Sequence, residues 1–219
     1  MISRPLSRER YVLLTLALVL AYNFSASLVG WGWITATVIS FGVVALNVAY
    51  TYRYRDGLIG RLVLFGLAAG FTELLADWYL VVFTGTLVYN PGGPFLVRSP
   101  LYMPLAWSVV LVQLGFIGHW LTRQIGLPAA MLASGLIGAV NIPLYEEWAR
   151  SAQWWTYQDT PMFSATPYYI ILGEFLITLV LPFILREVER RSPLQVVLLG
   201  IGQGLWIWFS YALAFGLVG

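Results

Sequence analysis

Polar positions in this chain fall in short clusters separated by long apolar runs. Seven runs stand out, bounded by arginine, proline or glycine, at about residues 11–29, 33–52, 62–84, 101–121, 128–148, 167–185 and 194–218. Each approaches the ~20 residues that a helix needs to cross the ~30 Å hydrocarbon layer of a bilayer. The pattern predicts an all-α, polytopic integral membrane protein with seven transmembrane helices, forming a single domain over residues 1–219. Between the first two runs, Gly30-Trp31-Gly32-Trp33 predicts a tight turn with tryptophans suited to the membrane interface. A Gly/Pro-rich loop from Tyr89 through Pro100 separates the third and fourth. The basic start to Arg10 followed by an apolar run resembles a signal peptide. That run is as long as a full span and carries no small-residue cleavage site, so it reads as a retained first helix.

Composition agrees with this reading. Only 10% of residues are charged, against about 25% in a soluble domain. The absence of cysteine excludes disulfides, thiolate chemistry and cysteine-held metals, and a single histidine, His119, excludes a His-rich metal site. No metal site and no cofactor is expected. All twelve basic residues are arginine, so there is no lysine to form a Schiff base, and a retinal protein is excluded.

The arginines also give a direction. With seven spans, Arg4, Arg8, Arg10, Arg53, Arg55, Arg61, Arg123, Arg186, Arg190 and Arg191 share one side, and only Arg98 and Arg150 lie on the other. Ten against two predicts a cytoplasmic N-terminus. The expected location is the inner membrane of a bacterial cell. Membrane lipid is the expected surrounding and nucleic acid is not an expected partner; the oligomeric state is left open.

Two stretches echo each other. Thr86-Leu87-Val88-Tyr89, Pro94-Phe95 and Ser99-Pro100-Leu101-Tyr102 follow the third span; Trp155-Thr156-Tyr157, Pro161-Met162-Phe163 and Thr166-Pro167-Tyr168-Tyr169 follow the fifth. Both follow acidic residues, and they read as a degenerate duplication on the outer side.

An ionisable side chain in a span costs about 3 kcal/mol or more at mid-bilayer. Glu9, Asp56, Glu187 and Glu189 sit beside cytoplasmic arginines and read as solvated helix ends, and Asp159 as a solvated loop residue. Glu73, Asp77, Glu146 and Glu174 are different. Glu73 and Asp77 share a helix face at i, i+4, about 6 Å apart. Two carboxylates so placed in a low dielectric do not both ionise easily, and a carboxyl that keeps its proton suits an acid catalyst. A structural pair holding Arg98 is the competing reading. Glu146 ends the fifth span, four residues before Arg150, which is a possible partner. Glu174 has no basic neighbour in sequence. The topology places Asp77, Glu146 and Glu174 at similar depth in the outer half, beneath two aromatic-rich loops. Trp78, Trp107, Trp148, Trp154, Trp155 and Tyr157 surround them in sequence, and aromatic faces stabilise cations. Trp78, Tyr89, Tyr102, Trp107, Asn141, Trp155 and Tyr157 are the candidate substrate-binding residues.

Several of these motifs resemble those of the membrane-embedded lycopene cyclase domain proteins and bacterioruberin-type carotenoid hydratases. They are Asp77 followed by Gly85-Thr86-Leu87-Val88-Tyr89, then Met103-Pro104-Leu105-Ala106-Trp107, and Pro143-Leu144-Tyr145-Glu146-Glu147 beside the cyclases' Pro-x-Glu-Glu. The last has one extra residue between Pro143 and Glu146. In size and layout the chain also looks like the fungal membrane meroterpenoid cyclases. The resemblance implies cofactor-independent, proton-initiated cyclisation or hydration of an isoprenoid, with Glu73, Asp77 and Glu146 or Glu147 as donor, relay and cation stabiliser. A small proton-coupled transporter and a non-catalytic binding or assembly protein are the competing readings.

Overall fold

The computed structural model describes residues 6–219; Arg4 of the arginine count lies outside the described residues. Among them, seven helices are long and apolar enough to cross a membrane. They are α1 (Arg8–Val29), α2 (Trp33–Tyr54), α3 (Gly57–Trp78), α4 (Met103–Ile125), α5 (Leu127–Ser151), the broken pair α6 (Tyr168–Leu179) and α7 (Leu181–Leu185), and α8 (Pro193–Val218). Large apolar side chains cover the outside of the bundle, among them Leu13, Val140, Leu198 and Leu217.

Local chemistry sets the ends. Ser7 caps α1 and Gly30 closes it in the left-handed conformation. The third predicted span starts five residues too late, because Asp56 accepts from the Leu58 and Ile59 backbone N–H groups and so begins α3 at Gly57. The fourth starts two residues too early, because Leu101 and Tyr102 are still turn. The sixth breaks at Val180, just before Pro182, which cannot donate into the preceding turn. After Trp78 the chain widens into a π-helical stretch, Tyr79–Phe83, closed by Thr84 N–H donating to the Tyr79 carbonyl at 3.0 Å.

Helices α3, α4, α5, α6 and α8 pack in a closed ring in that order, with α8 returning to α3. The α4–α5 seam is the loosest of the five. Helices α1 and α2 pack outside it, against α5 and α4. The tightest seam is α3–α8, and glycine makes it possible. A Cβ at Gly200 would lie 2.5 Å from the Phe65 carbonyl oxygen, and one at Gly204 would lie 2.6 Å from that of Ala69. This is the small-xxx-small spacing of close helix pairs.

The two echoing loops have the same design. The first holds β1 (Leu87–Tyr89), β2 (Phe95–Leu96) and β3 (Ser99–Pro100); the second holds β4 (Trp155–Tyr157), β5 (Met162–Phe163) and β6 (Thr166–Pro167). β2–β3 and β5–β6 are two-residue hairpins, each with a left-handed first turn residue, Val97 and Ser164. β1 and β4 pair antiparallel with Leu87 opposite Tyr157 and Tyr89 opposite Trp155. The loops therefore join into one roof over the ring.

Candidate active site

Beneath that roof lies a cavity of about 100 Å³. All four acids singled out from the sequence line it: Glu73 and Asp77 from α3, Glu146 from α5 and Glu174 from α6. All four are buried. The helix rotation that topology left open brings them to one space.

Each acid is held differently. Asp77 Oδ2 accepts from the Tyr89 hydroxyl at 2.6 Å and also from the Ser99 hydroxyl. Glu146 accepts from Trp155 Nε1 at 2.6 Å and the Tyr157 hydroxyl at 3.2 Å. Glu174 accepts from the Tyr211 hydroxyl on α8 at 2.6 Å. Glu73 is 1% exposed, and neither of its oxygens makes a well-formed hydrogen bond among the described residues, the Asp77 carboxyl and the Trp107 indole being its polar neighbours. The donors come from the roof and from α8, so the roof and the wall of the ring are both wired to the acids. Tyr89 and Tyr157 lie in the loops. Their burial, and then the neighbouring Asp77 and Glu146 respectively, hold both phenols well above their ordinary pKa. They are neutral hydrogen-bond donors at physiological pH.

The adjacent Glu146 and Glu147 separate. The expected Glu146–Arg150 pair is absent, and Arg150 donates instead to Glu147 at 2.7 Å, three residues away on the outer surface. The Ser164 hydroxyl and the Ala165 N–H also donate to Glu147. The expected alternative of Arg98 holding Glu73 and Asp77 is not seen either. Among the described residues the ion pairs are Arg8 with Asp56 and Glu189, and Arg150 with Glu147. No arginine or histidine lines the cavity.

Of the predicted substrate-binding residues, Tyr89, Trp107, Asn141, Trp155 and Tyr157 line the cavity, and Trp78 and Tyr102 do not. Trp78 follows Asp77 on the helix, a turn of ~100° that takes it to the outside, where it is 45% exposed. Tyr102 precedes α4, one residue short of the stripe Met103, Trp107, Val110 and Leu114 that faces inward. It is buried instead in a groove with Trp33, Thr37 and Pro94. Trp148 packs against Phe24. Trp154 alternates to the opposite side from Trp155 and donates to Thr35 Oγ1 at 2.9 Å.

Sequence reasoning missed Tyr145 and Tyr211. Tyr211 lies on the same face of α8 as Gly200, Gln203, Gly204 and Ile207, all buried. A polar side chain recurring at helical spacing among small residues was the available signal. Gly173 makes room for it, since a Cβ there would lie 2.4 Å from the Tyr211 ring.

Comparison with known proteins adds one result. The profile of a domain of unknown function, DUF6989, matches residues 74–218, about two thirds of the chain. The chain belongs to the DUF6989 family. The matched stretch of this DUF6989 member contains both loops, Asp77, Glu146 and Glu174, while Glu73 precedes it by one residue. No curated protein and no solved structure matches the chain.

Proposed function

We propose that this DUF6989 member is an integral protein of the bacterial inner membrane, with its N-terminus in the cytoplasm, and that it carries out cofactor-independent, acid-initiated cyclisation or hydration of a bilayer-dissolved isoprenoid. The apolar exterior and the ten-to-two division of arginines support the placement. The observation that carries the chemistry is the asymmetry between two acids on one wall. Asp77 is anchored by Tyr89 and Ser99, whereas Glu73 has no well-formed hydrogen bond, only the Asp77 carboxyl and Trp107 indole nearby, and faces the same space.

In this reading Glu73 gives its proton to a substrate alkene or epoxide, leaving a carboxylate and a carbocation. For cyclisation, a second alkene of the same chain attacks the cation, and a carbon-bound proton then returns to a cavity carboxylate. For hydration, water attacks and its extra proton returns the same way. The faces of Trp107, Trp155 and Tyr145 stabilise positive charge, as do the carboxylates of Glu146 and Glu174.

The test is expression in cells that make linear isoprenoids, with analysis of the lipid extract. A cyclised product of unchanged mass, or one heavier by a water, is expected with the wild-type chain and is lost with Glu73→Gln. A product that persists with Glu73→Gln removes this mechanism. Flux driven by a pH gradient in proteoliposomes, with no new product in cells, favours the transporter reading instead.

A further inference from the structure

The mouth of the cavity is not at the loop end of the molecule. The roof of β1 and β4 closes that end, with Trp155 and Leu87 buried beneath it. Asn141 is the one cavity-lining residue that is exposed. It sits in the middle of α5, fourteen residues after Leu127 and ten before Ser151, or ~21 and ~15 Å from the two ends at ~1.5 Å per residue. Its exposed neighbours on α5 are apolar, with Val140 76% and Leu144 50% exposed. Across the loose α4–α5 seam, Val110 and Leu114 line the cavity and are half-buried. The opening therefore lies on the apolar flank, beside α1.

The polar group at this opening is unusual for such a surface. The Asn141 amide makes no side-chain hydrogen bond among the described residues, although a lipid-facing amide without a partner is costly. The amide is neutral, and no cation lines the cavity behind it, only four carboxyl groups. Such a path gives an anionic ester no counter-charge and offers hydrogen bonds to an uncharged oxygen.

We infer that the α4–α5 seam is a portal through which substrate enters from within the bilayer, and that Asn141 is its specificity-determining residue, positioning an uncharged hydroxyl, carbonyl or epoxide oxygen on an otherwise apolar chain. This rests on the membrane reading given above but not on the acid chemistry.

The absence of cysteine makes the test direct. A single Val110→Cys, with Leu114→Cys as a second reporter, is spin-labelled in bilayer nanodiscs. Relaxation by oxygen, which concentrates in lipid, should exceed relaxation by a water-soluble nickel chelate; the reverse overturns the portal. Farnesol should reduce oxygen access at the label and farnesyl diphosphate should not. No effect of farnesol, or an equal effect of both, overturns the recognition. In the unlabelled protein, Asn141→Leu should weaken farnesol binding about three- to tenfold, the range of one hydrogen bond, and leave farnesene binding unchanged. Loss of both ligands, or of neither, overturns the role of Asn141. Gly202→Ala, on α8 where an added Cβ meets open space, should behave as wild type throughout. The portal thus stands or falls separately from catalysis.

Discussion

Tyr89 and Trp155 face each other across β1 and β4, their rings edge to face at 6.2 Å, and each donates to a different cavity acid, Tyr89 to Asp77 and Trp155 to Glu146. One strand pairing thus fixes two carboxyl groups that arise from different helices.

Tyr89→Phe removes one of two donors to Asp77 and leaves the ring in place. The loss of a hydrogen bond to a buried acid should cost about 1–3 kcal/mol. Thermal unfolding in detergent should show the drop, and product formation should fall with it. An unchanged melting temperature would mean that the roof does not hold Asp77.

Glu73→Gln and Asp77→Asn should separate. Glu73 has no well-formed hydrogen bond to lose, only the nearby Asp77 carboxyl and Trp107 indole, so its variant should melt closer to the wild-type temperature than Asp77→Asn does, while product formation falls about 10²–10⁴-fold, the usual weight of a general acid. Asp77→Asn should lower the melting temperature, because Tyr89 and Ser99 both donate to that group. Equal melting temperatures in the two variants would contradict the assigned asymmetry.

Alkaline stability has a definite sign. The Tyr89 and Tyr157 phenols titrate above their ordinary value of 10.0 in the folded chain. An unfolded chain then loses these protons first, so the stability they supply is complete below pH ~10 and declines as pH rises beyond it. Melting temperature measured from pH 8 to 12 should fall over the upper part of that range, and less steeply in a Tyr89→Phe/Tyr157→Phe variant.

Helix α8 offers an internal control. Gly200→Ala would place a methyl 2.5 Å from a backbone carbonyl of α3, whereas Gly202 has open space on its side. The first should destabilise by about 1–3 kcal/mol, as overpacking does. The second should be neutral or add up to ~1 kcal/mol through helix propensity. Paired denaturation curves will decide.

Sidedness can be read with single cysteines and a charged, membrane-impermeant maleimide. Asp159→Cys should label from outside intact cells and Arg55→Cys only after permeabilisation. The opposite pattern would invert the proposed topology.

The spans were legible because apolar length and arginine placement act residue by residue. Helix ends were less so, since Asp56 starting α3 and Pro182 breaking the sixth span depend on local backbone bonding. The four acids were legible because a carboxyl in an apolar run has few reasons to be there. Their partners mostly were not. Nothing in sequence separation tells that Tyr211 meets Glu174, or that Trp155 turns inward while Trp154 turns away. Those outcomes follow from helix rotation and strand alternation, which only the packed structure fixes. Trp78 and Tyr102 misled for the same reason, each being one position away from an inward-facing residue.

The roof also constrains the order in which the chain is assembled. Tyr89 is made 66 residues before its strand partner Trp155, with α4 and α5 between them. β1 has no partner until both intervening helices are in place and the outer end of α5 has emerged. Glu146 thus acquires its donors Trp155 and Tyr157 late, and a nascent chain halted before residue 155 would carry that carboxyl group bare. Such long-range closure is slow, and an assembly chaperone or quality-control protease would meet the chain at this stage.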